Sequence, residues 1–220
     1  MQESDKVVFV TGGSGLLGSR FIKSLSLDYS VYNLDLPDFD VTDKQSLTRA
    51  IELYGVPYGL VNCAAIDFPP GSEDVDFMKV MAVNVGGVKQ CCELFGLSME
   101  AQGDGAIINI ASIYGMVSPD QRIYRDFLKP VSYGASKAAV INMTKYYATL
   151  YHNVRVNCVS LGGVSNNQDA EFVKKYCERV PMGRMARKDE YNGLIRFLLS
   201  DGASYMTGSN VVADGGYTAL

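Results

Sequence analysis

Tyr133 and Lys137, four residues apart in Tyr133-Gly-Ala-Ser-Lys137, are the residues of this chain best placed to move a proton. On a helix, positions i and i+4 share a face, so the Lys137 ammonium stands near the Tyr133 phenol and favours its ionised form. A free tyrosine titrates near about 10, and proton transfer works best when the pKa of the group approaches ambient pH. A fixed cation therefore suits Tyr133 to acid and base chemistry. Upstream, Ser112 adds a hydroxyl donor that can steady an oxygen on which charge develops.

A second group of residues suits a dinucleotide. Gly12, Gly15 and Gly18 in Thr11-Gly-Gly-Ser-Gly-Leu-Leu-Gly18 follow the apolar run Val7–Val10 and open an amphipathic stretch. In that setting a glycine-rich turn admits a pyrophosphate to a helix amino terminus. Asp35 lies 17 residues after Gly18, near the offset at which a carboxylate accepts the ribose hydroxyls of NAD. A 2′-phosphate there would face that carboxylate, and neither the glycine loop nor Leu34–Thr42 contains an Arg or Lys. NAD is expected rather than NADP.

Short apolar runs that alternate with helical patterns must position these residues. Val7–Val10, Val31–Leu34, Leu60–Cys63, Ala106–Ile110, Val154–Val159 and Asn210–Ala213 read as strands. Leu16–Leu27, Asp43–Leu53, Asp74–Met99, Ser132–Tyr151, Asp169–Arg179 and Asp189–Leu199 read as helices, with Thr42 and Gln45 matching a capping box. The alternation predicts an α/β fold, a doubly wound, Rossmann-like parallel sheet in three layers. The 220 residues, 47% hydrophobic and 20% charged, fit one domain over 1–220. A net charge of −4 without a basic run excludes nucleic acid as a partner. Five cysteines without CxxC spacing imply neither a disulfide framework nor a metal site. The polar amino terminus and the lack of a long apolar run imply no membrane segment and a cytoplasmic location.

Together these residues resemble the short-chain dehydrogenase/reductase family, single-domain branch, over nearly the whole chain. Asn62-Cys-Ala-Ala65 looks like its NNAG segment, Asn109-Ile-Ala-Ser112 its catalytic-serine strand, and Asn84 its helix asparagine. Arg155–Val164 resembles the stretch over the nicotinamide, and Asp214-Gly-Gly216 the end of its last strand. The resemblance implies Asn84, Ser112, Tyr133 and Lys137 as catalytic residues. It implies a cofactor site of Gly12, Ser14, Gly15, Leu16, Leu17, Asp35, Asp40, Val41, Asn62, Ala64, Tyr133, Lys137, Gly162 and Val164. Pairing through the helix of Tyr133 and through Asp74–Met99 into a homo-oligomer, a dimer or tetramer, is also implied.

Four departures from the family pattern stand out. The glycines follow GxxGxxG, a spacing associated with the epimerase-like branch. Only Pro37, Asp38 and Phe39 separate Leu36 from Asp40, too few for a parallel crossover, so the usual third strand and its helix are expected to be missing or remodelled. Leu161 replaces the usual proline before Gly162, which leaves the nicotinamide loop freer. Ser112 and Tyr133 are 21 positions apart, and the extra segment Met116–Pro130 is expected to form a substrate-side loop.

The implied reaction interconverts a secondary alcohol and a carbonyl, with Tyr133 moving the proton and Ser112 steadying the oxygen. Lys137 holds the nicotinamide ribose and lowers the Tyr133 pKa, while Asn84 anchors a water. Arg122, Tyr124, Arg125 and Lys129, with Val164-Ser-Asn-Asn-Gln168, suit a hydroxylated or anionic substrate such as a sugar or polyol. The run Gly162–Val173 and Pro181-Met-Gly-Arg-Met185 also resemble a bacterial subgroup associated with flagellin modification and surface-sugar biosynthesis. The alternatives are a ketoacyl reductase using NADPH, a non-catalytic dinucleotide-binding sensor, and sugar epimerisation without net oxidation.

Overall fold

The computed structural model describes residues 6–67, 76–124 and 128–219, so Arg125 lies outside the described residues. The elements run β1 (Val7–Thr11), α1 (Gly18–Leu25), β2 (Ser30–Leu34), α2 (Lys44–Tyr54), β3 (Gly59–Asn62) and α3 (Phe77–Met81). A π-helical segment, Ala82–Gly87, leads into α4 (Val88–Gln102) and β4 (Gly105–Ser112). Then follow α5 (Val131–Leu150), β5 (Val154–Leu161), α6 (Ala170–Cys177), α7 (Asn192–Leu199) and β6 (Asn210–Ala213). The six strands form one parallel sheet in the order β2-β1-β3-β4-β5-β6.

Period-two alternation builds the three layers. In β1, Phe9 joins a cluster with Leu47 of α2, Phe95 and Met99 of α4, and Val140 and Tyr147 of α5. Its neighbours Val8 and Val10 face the other way, onto Phe21 and Leu25 of α1 and Ile195 and Leu198 of α7. Both faces of the central strands are therefore apolar, which is why they read as continuous hydrophobic runs.

The expected truncation after β2 is present. β2 is the sheet edge, and a turn rather than a helix connects Leu36 to Asp40. Phe39 and Val41 from this short link are buried and join the core beside α2 and α4. A β-carbon on Gly87 would lie 2.6 Å from Val41 Cγ2, so the glycine in the π-helical segment makes room for the link. The predicted capping box is not formed. Asp43 caps α2 by accepting from Gln45 N at 2.9 Å, while Thr42 N and Oγ1 donate to Asp40 Oδ1, each at 2.8 Å. A carboxylate one residue closer to the helix takes the cap, and Thr42 is bound in the turn before it.

The predicted helix over Asp74–Met99 is broken into α3, the π-helical segment and α4; residues 74 and 75 lie outside the described residues. π-turns of this kind occur frequently at functional sites, and this one carries Asn84.

Candidate active site

In an open parallel sheet, ligands bind beyond the carboxyl ends of the strands, where the connections from neighbouring strands diverge. Here that point lies between β1, whose chain crosses to β2 on one side, and β3 on the other. A cleft of about 1650 Å³ opens there. It runs from the glycine loop and Asp35 to Ser112, Tyr133 and Lys137.

Close backbone approach shapes the glycine loop. Gly12 has φ +65°, and a β-carbon on it would lie 2.6 Å from Ala64 Cα in the loop after β3. A β-carbon on Gly18 would lie 2.3 Å from Gly12 O and 2.8 Å from Gly13 Cα. These cradles fit a pyrophosphate resting on bare backbone at the start of α1. Gly18→Ala should therefore open the loop and abolish the rise in Tm produced by NAD, whereas Gly15→Ala, whose β-carbon would meet only Gly12 O at 3.1 Å, should keep most of it. Thermal-shift titration of the two variants checks this. Asp35, just past β2, holds the loop closed: its Oδ2 accepts from Ser14 N at 2.9 Å and its Oδ1 from Leu36 N at 2.9 Å.

Of the predicted cofactor residues, Gly12, Gly15, Leu16, Leu17, Asp35, Asp40, Val41, Ala64, Tyr133, Lys137, Gly162 and Val164 line the cleft. Ser14 does not: its amide is bound to Asp35 and its Oγ accepts from Asn33 Nδ2 at 3.0 Å. Asn62 also departs from the expectation. Its side chain points away from the cleft, into the sheet face that α4 and α5 cover, because the strand alternation puts it there. Its Nδ2 donates to Asn109 Oδ1 at 2.8 Å, and Asn109 Nδ2 donates to Thr144 Oγ1 of α5 at 2.9 Å. This buried polar chain joins β3, β4 and α5, and with them the two strands and the helix that carry the site.

Asn84 is fully buried and bound on every side. Its Oδ1 accepts from Ile66 N at 2.8 Å, and its Nδ2 donates to Ile66 O at 3.0 Å and to Ser136 Oγ at 3.1 Å. The side chain clamps the loop after β3 to α5. A buried amide so satisfied has no spare donor.

Tyr133 and Lys137 both face the cleft from the first turns of α5, as their spacing predicts. Their electrostatic relation differs from the expectation. Lys137 Nζ donates to Ile110 O at 2.8 Å and lies 5.8 Å from the Tyr133 ring centroid. Burial pulls the Lys137 ammonium down to about 8, against the opposing pull of Cys63 and Asp67. The Tyr133 phenol is pushed well above its ordinary value, by burial first and by the Asp67 carboxylate second, while a hydrogen bond with Ser112 works the other way. In this state the phenol is therefore an acid holding its proton. Burial is the largest influence on the phenol, so its pKa stands above the ordinary tyrosine value with Lys137 on the same helix face. Cys63, which also lines the cleft, is pushed up to about 11 by burial and stays a thiol.

The other end of the cleft is lined by Ile123, Tyr124 and Lys129 of the extra segment and by the loop after β5. Ile123 of the segment packs with Tyr176 of α6 and Met185, and Tyr114 and Tyr124 pair through their hydroxyls at 2.9 Å. A β-carbon on Gly115 would lie 2.7 Å from the Lys137 carbonyl carbon, and one on Gly134 would lie 2.9 Å from Tyr114 O. Gly115 and Gly134 thus let the turn after β4 sit directly on α5. Arg122 is not on the cleft wall; it pairs with Asp120 at 2.7 Å. Lys129 and Asp67 are on the wall and form an ion pair there, with Lys129 Nζ 4.6 Å from the Tyr133 ring centroid. Composition pointed to Lys129, but Asp67 had no motif to mark it.

The loop after Leu161 is tied down, contrary to the freedom expected without the proline. Gly163 N donates to Tyr176 Oη at 2.6 Å, Ala186 N to Gly163 O at 2.9 Å, and Ser165 N to Ala186 O at 2.9 Å. Leu161 itself continues β5 opposite Ala213 and is buried. Tertiary hydrogen bonds here supply the order that a proline would supply locally.

The family model described as Enoyl-(Acyl carrier protein) reductase matches residues 28–218. The chain is 33% identical over 195 residues to the cis-4-hydroxycyclohexanecarboxylate dehydrogenase of Sinomonas cyclohexanicum, covering 82% of this chain and 75% of that protein. It is 34% identical over 193 residues to the galactitol 2-dehydrogenase (L-tagatose-forming) of Cereibacter sphaeroides, covering 81% and 74%. Among solved structures, a short chain dehydrogenase from Leptospira borgpetersenii with bound NAD+ superposes with a TM-score of 0.89 at 33% identity, covering 99% of this chain and 94% of that one. None of the three is described as a flagellin-modification protein.

Proposed function

The chain belongs to the short-chain dehydrogenase/reductase family, and we propose that it interconverts a secondary alcohol and a carbonyl with NAD(H), using Tyr133 as general acid and base. One observation carries this reading: Ser112, Tyr133 and Lys137 share one cleft with the Gly12–Gly18 loop and Asp35. Bound NAD or NADH supplies the hydride acceptor or donor. Tyr133 holds at its hydroxyl the proton that the carbonyl oxygen takes on reduction, and receives it back on alcohol oxidation. Ser112, bound to Tyr114 N at 3.2 Å and to the phenol, is the second donor to that oxygen. Lys137, whose Nζ donates to Ile110 O at 2.8 Å, would hold the nicotinamide ribose. Asn84 and Ser136 keep the wall in place around them.

NAD rather than NADP follows from Asp35, because a 2′-phosphate beside it would meet a carboxylate. The lysines that line the cleft, Lys79, Lys129 and Lys137, come from α3, the extra segment and α5, none of them from the loop or the β2 turn. NAD should raise Tm more than NADP does, and Asp35→Asn should narrow the gap; equal shifts in the wild type would remove Asp35 from this role. Formation of NADH with a panel of polyols and hydroxy acids separates the enzyme from a non-catalytic sensor, and it separates net oxidation from epimerisation, in which NADH does not accumulate. The ketoacyl-reductase alternative fits less well, since a chain using NADPH gains nothing from Asp35.

A polyol or sugar-like substrate is supported by the polar loop Val164–Gln168 and by the Lys129–Asp67 pair at the tyrosine. A homo-oligomer is supported by Leu97 of α4 and by Tyr146 and Leu150 of α5, which stand exposed; Tyr147 and Tyr151 are core residues instead. The free thiols of Cys63, Cys91, Cys92, Cys158 and Cys177 support a reducing, cytoplasmic location. Among the described residues no helix is long and apolar enough to cross a membrane.

A further inference from the structure

We propose that Lys129 and Asp67 act as an intact, neutral ion pair that selects substrates carrying an uncharged hydroxyl next to the reacting carbon, and that Asp67 excludes hydroxy acids. The inference rests on the alcohol-oxidising reading of the site and names its substrate class. Three observations support it. Lys129 is held by a two-point clamp, its N donating to Gln121 Oε1 at 2.8 Å and its O accepting from Gln121 Nε2 at 3.1 Å. Its side chain is only 13% exposed and its Nζ lies nearer the Tyr133 ring, at 4.6 Å, than Lys137 Nζ does, at 5.8 Å. Its partner Asp67, 37% exposed, reaches the same spot from the loop after β3. A charged pair thus overhangs the group that moves the proton.

Hydroxyl and carboxylate groups meet this pair differently. A hydroxyl both donates and accepts, so it can donate to the Asp67 carboxylate and accept from the Lys129 ammonium with no change in charge. A carboxylate only accepts. It must compete with Asp67 for Lys129 and bring a second anion beside the first, in a site where burial weakens solvent screening. By their names the two relatives act on a hydroxy acid and on a polyol respectively, and the pair places this chain with the polyol.

Galactitol and galactonate, the same carbon chain with a carboxylate in place of one terminal CH2OH, are the probes, offered to the NAD-saturated wild type, Asp67→Asn and Lys129→Met. Two readouts are taken: the rise in Tm on adding the probe, and kcat/KM from NADH formation. The wild type should favour galactitol. Asp67→Asn should shift the ratio toward the acid by about tenfold or more, since hydrogen bonds to charged groups carry free energies of that size, and Lys129→Met should shift it further toward galactitol. Opposite movement of the ratio in the two variants supports the pair. Because each ratio is taken within one variant, partial misfolding cancels. A wild type that prefers the acid, or ratios that move together or stay fixed, overturns the proposal even if NADH forms. Conversely, probe binding that inverts as described without any NADH sustains the pair and overturns the alcohol-oxidising reading. A wild type that neither binds nor oxidises either probe overturns both.

Discussion

Tyr133→Phe will bind NAD as the wild type does and lose turnover by about a thousandfold, the scale of a positioned general acid or base. The substitution removes one oxygen from a half-buried ring and leaves the packing on α5 intact. Ser112 remains bound to Tyr114 N, so one donor to the substrate oxygen survives while the proton source is gone. The measurement is kcat beside the NAD-induced rise in Tm. Wild-type turnover in the variant would reject the mechanism, and loss of the Tm rise would make Tyr133 a cofactor-binding residue first.

Lys137→Met gives the second large effect, in opposite directions on two readouts. Turnover should fall by about a hundredfold or more, while the cofactor-free protein becomes more stable. A desolvated ammonium whose one hydrogen bond within the described residues is to Ile110 O is a cost that the fold carries for the sake of the site. Replacing a buried charge with an apolar chain of like volume commonly stabilises, here by about 2 kcal/mol, or about 5 °C in Tm. The sign of the pH dependence follows from linkage. The folded-state value of about 8 lies below the ordinary 10.5, so the unfolded chain binds the proton more tightly and the penalty is fully present below pH 8. As pH rises from about 8 through about 10.5 the penalty disappears, and with it the advantage of the methionine. Melting curves across that range check it; an advantage that does not vary with pH would place the gain in packing.

The opposed behaviour of these two side chains shows how tertiary context changes a local reading. Spacing put Tyr133 and Lys137 on one helix face, and they are there. It also predicted that the lysine would lower the tyrosine's pKa; burial sets the larger influence and holds the phenol above its ordinary value, while the position of Nζ is set by the carbonyl of Ile110 on a different element. Asn84 and Asn62 followed the same course. The motifs marked both residues, but their amides are bound to Ile66, Ser136 and Asn109, partners brought near only by the packed sheet, and Asn62 faces away from the cleft.

Features that depend on neighbours along the chain were readable without coordinates. The six strands, the glycine turn after the first of them, the carboxylate after the second and the truncated link to Asp40 all follow from apolar periodicity, from glycine's lack of a β-carbon and from the length that a crossover needs. Folding alone decided what depends on distant partners. It broke the long helix at Asn84, tied the loop after Leu161 through Tyr176 and Ala186, filled the gap left by the missing helix with Phe39 and Val41, and joined Lys129 to Asp67 across 62 positions. Local conformation is set by a residue's own sterics and period, whereas pKa, hydrogen-bond partner and charge pairing are set by whatever the completed sheet brings within a few ångströms.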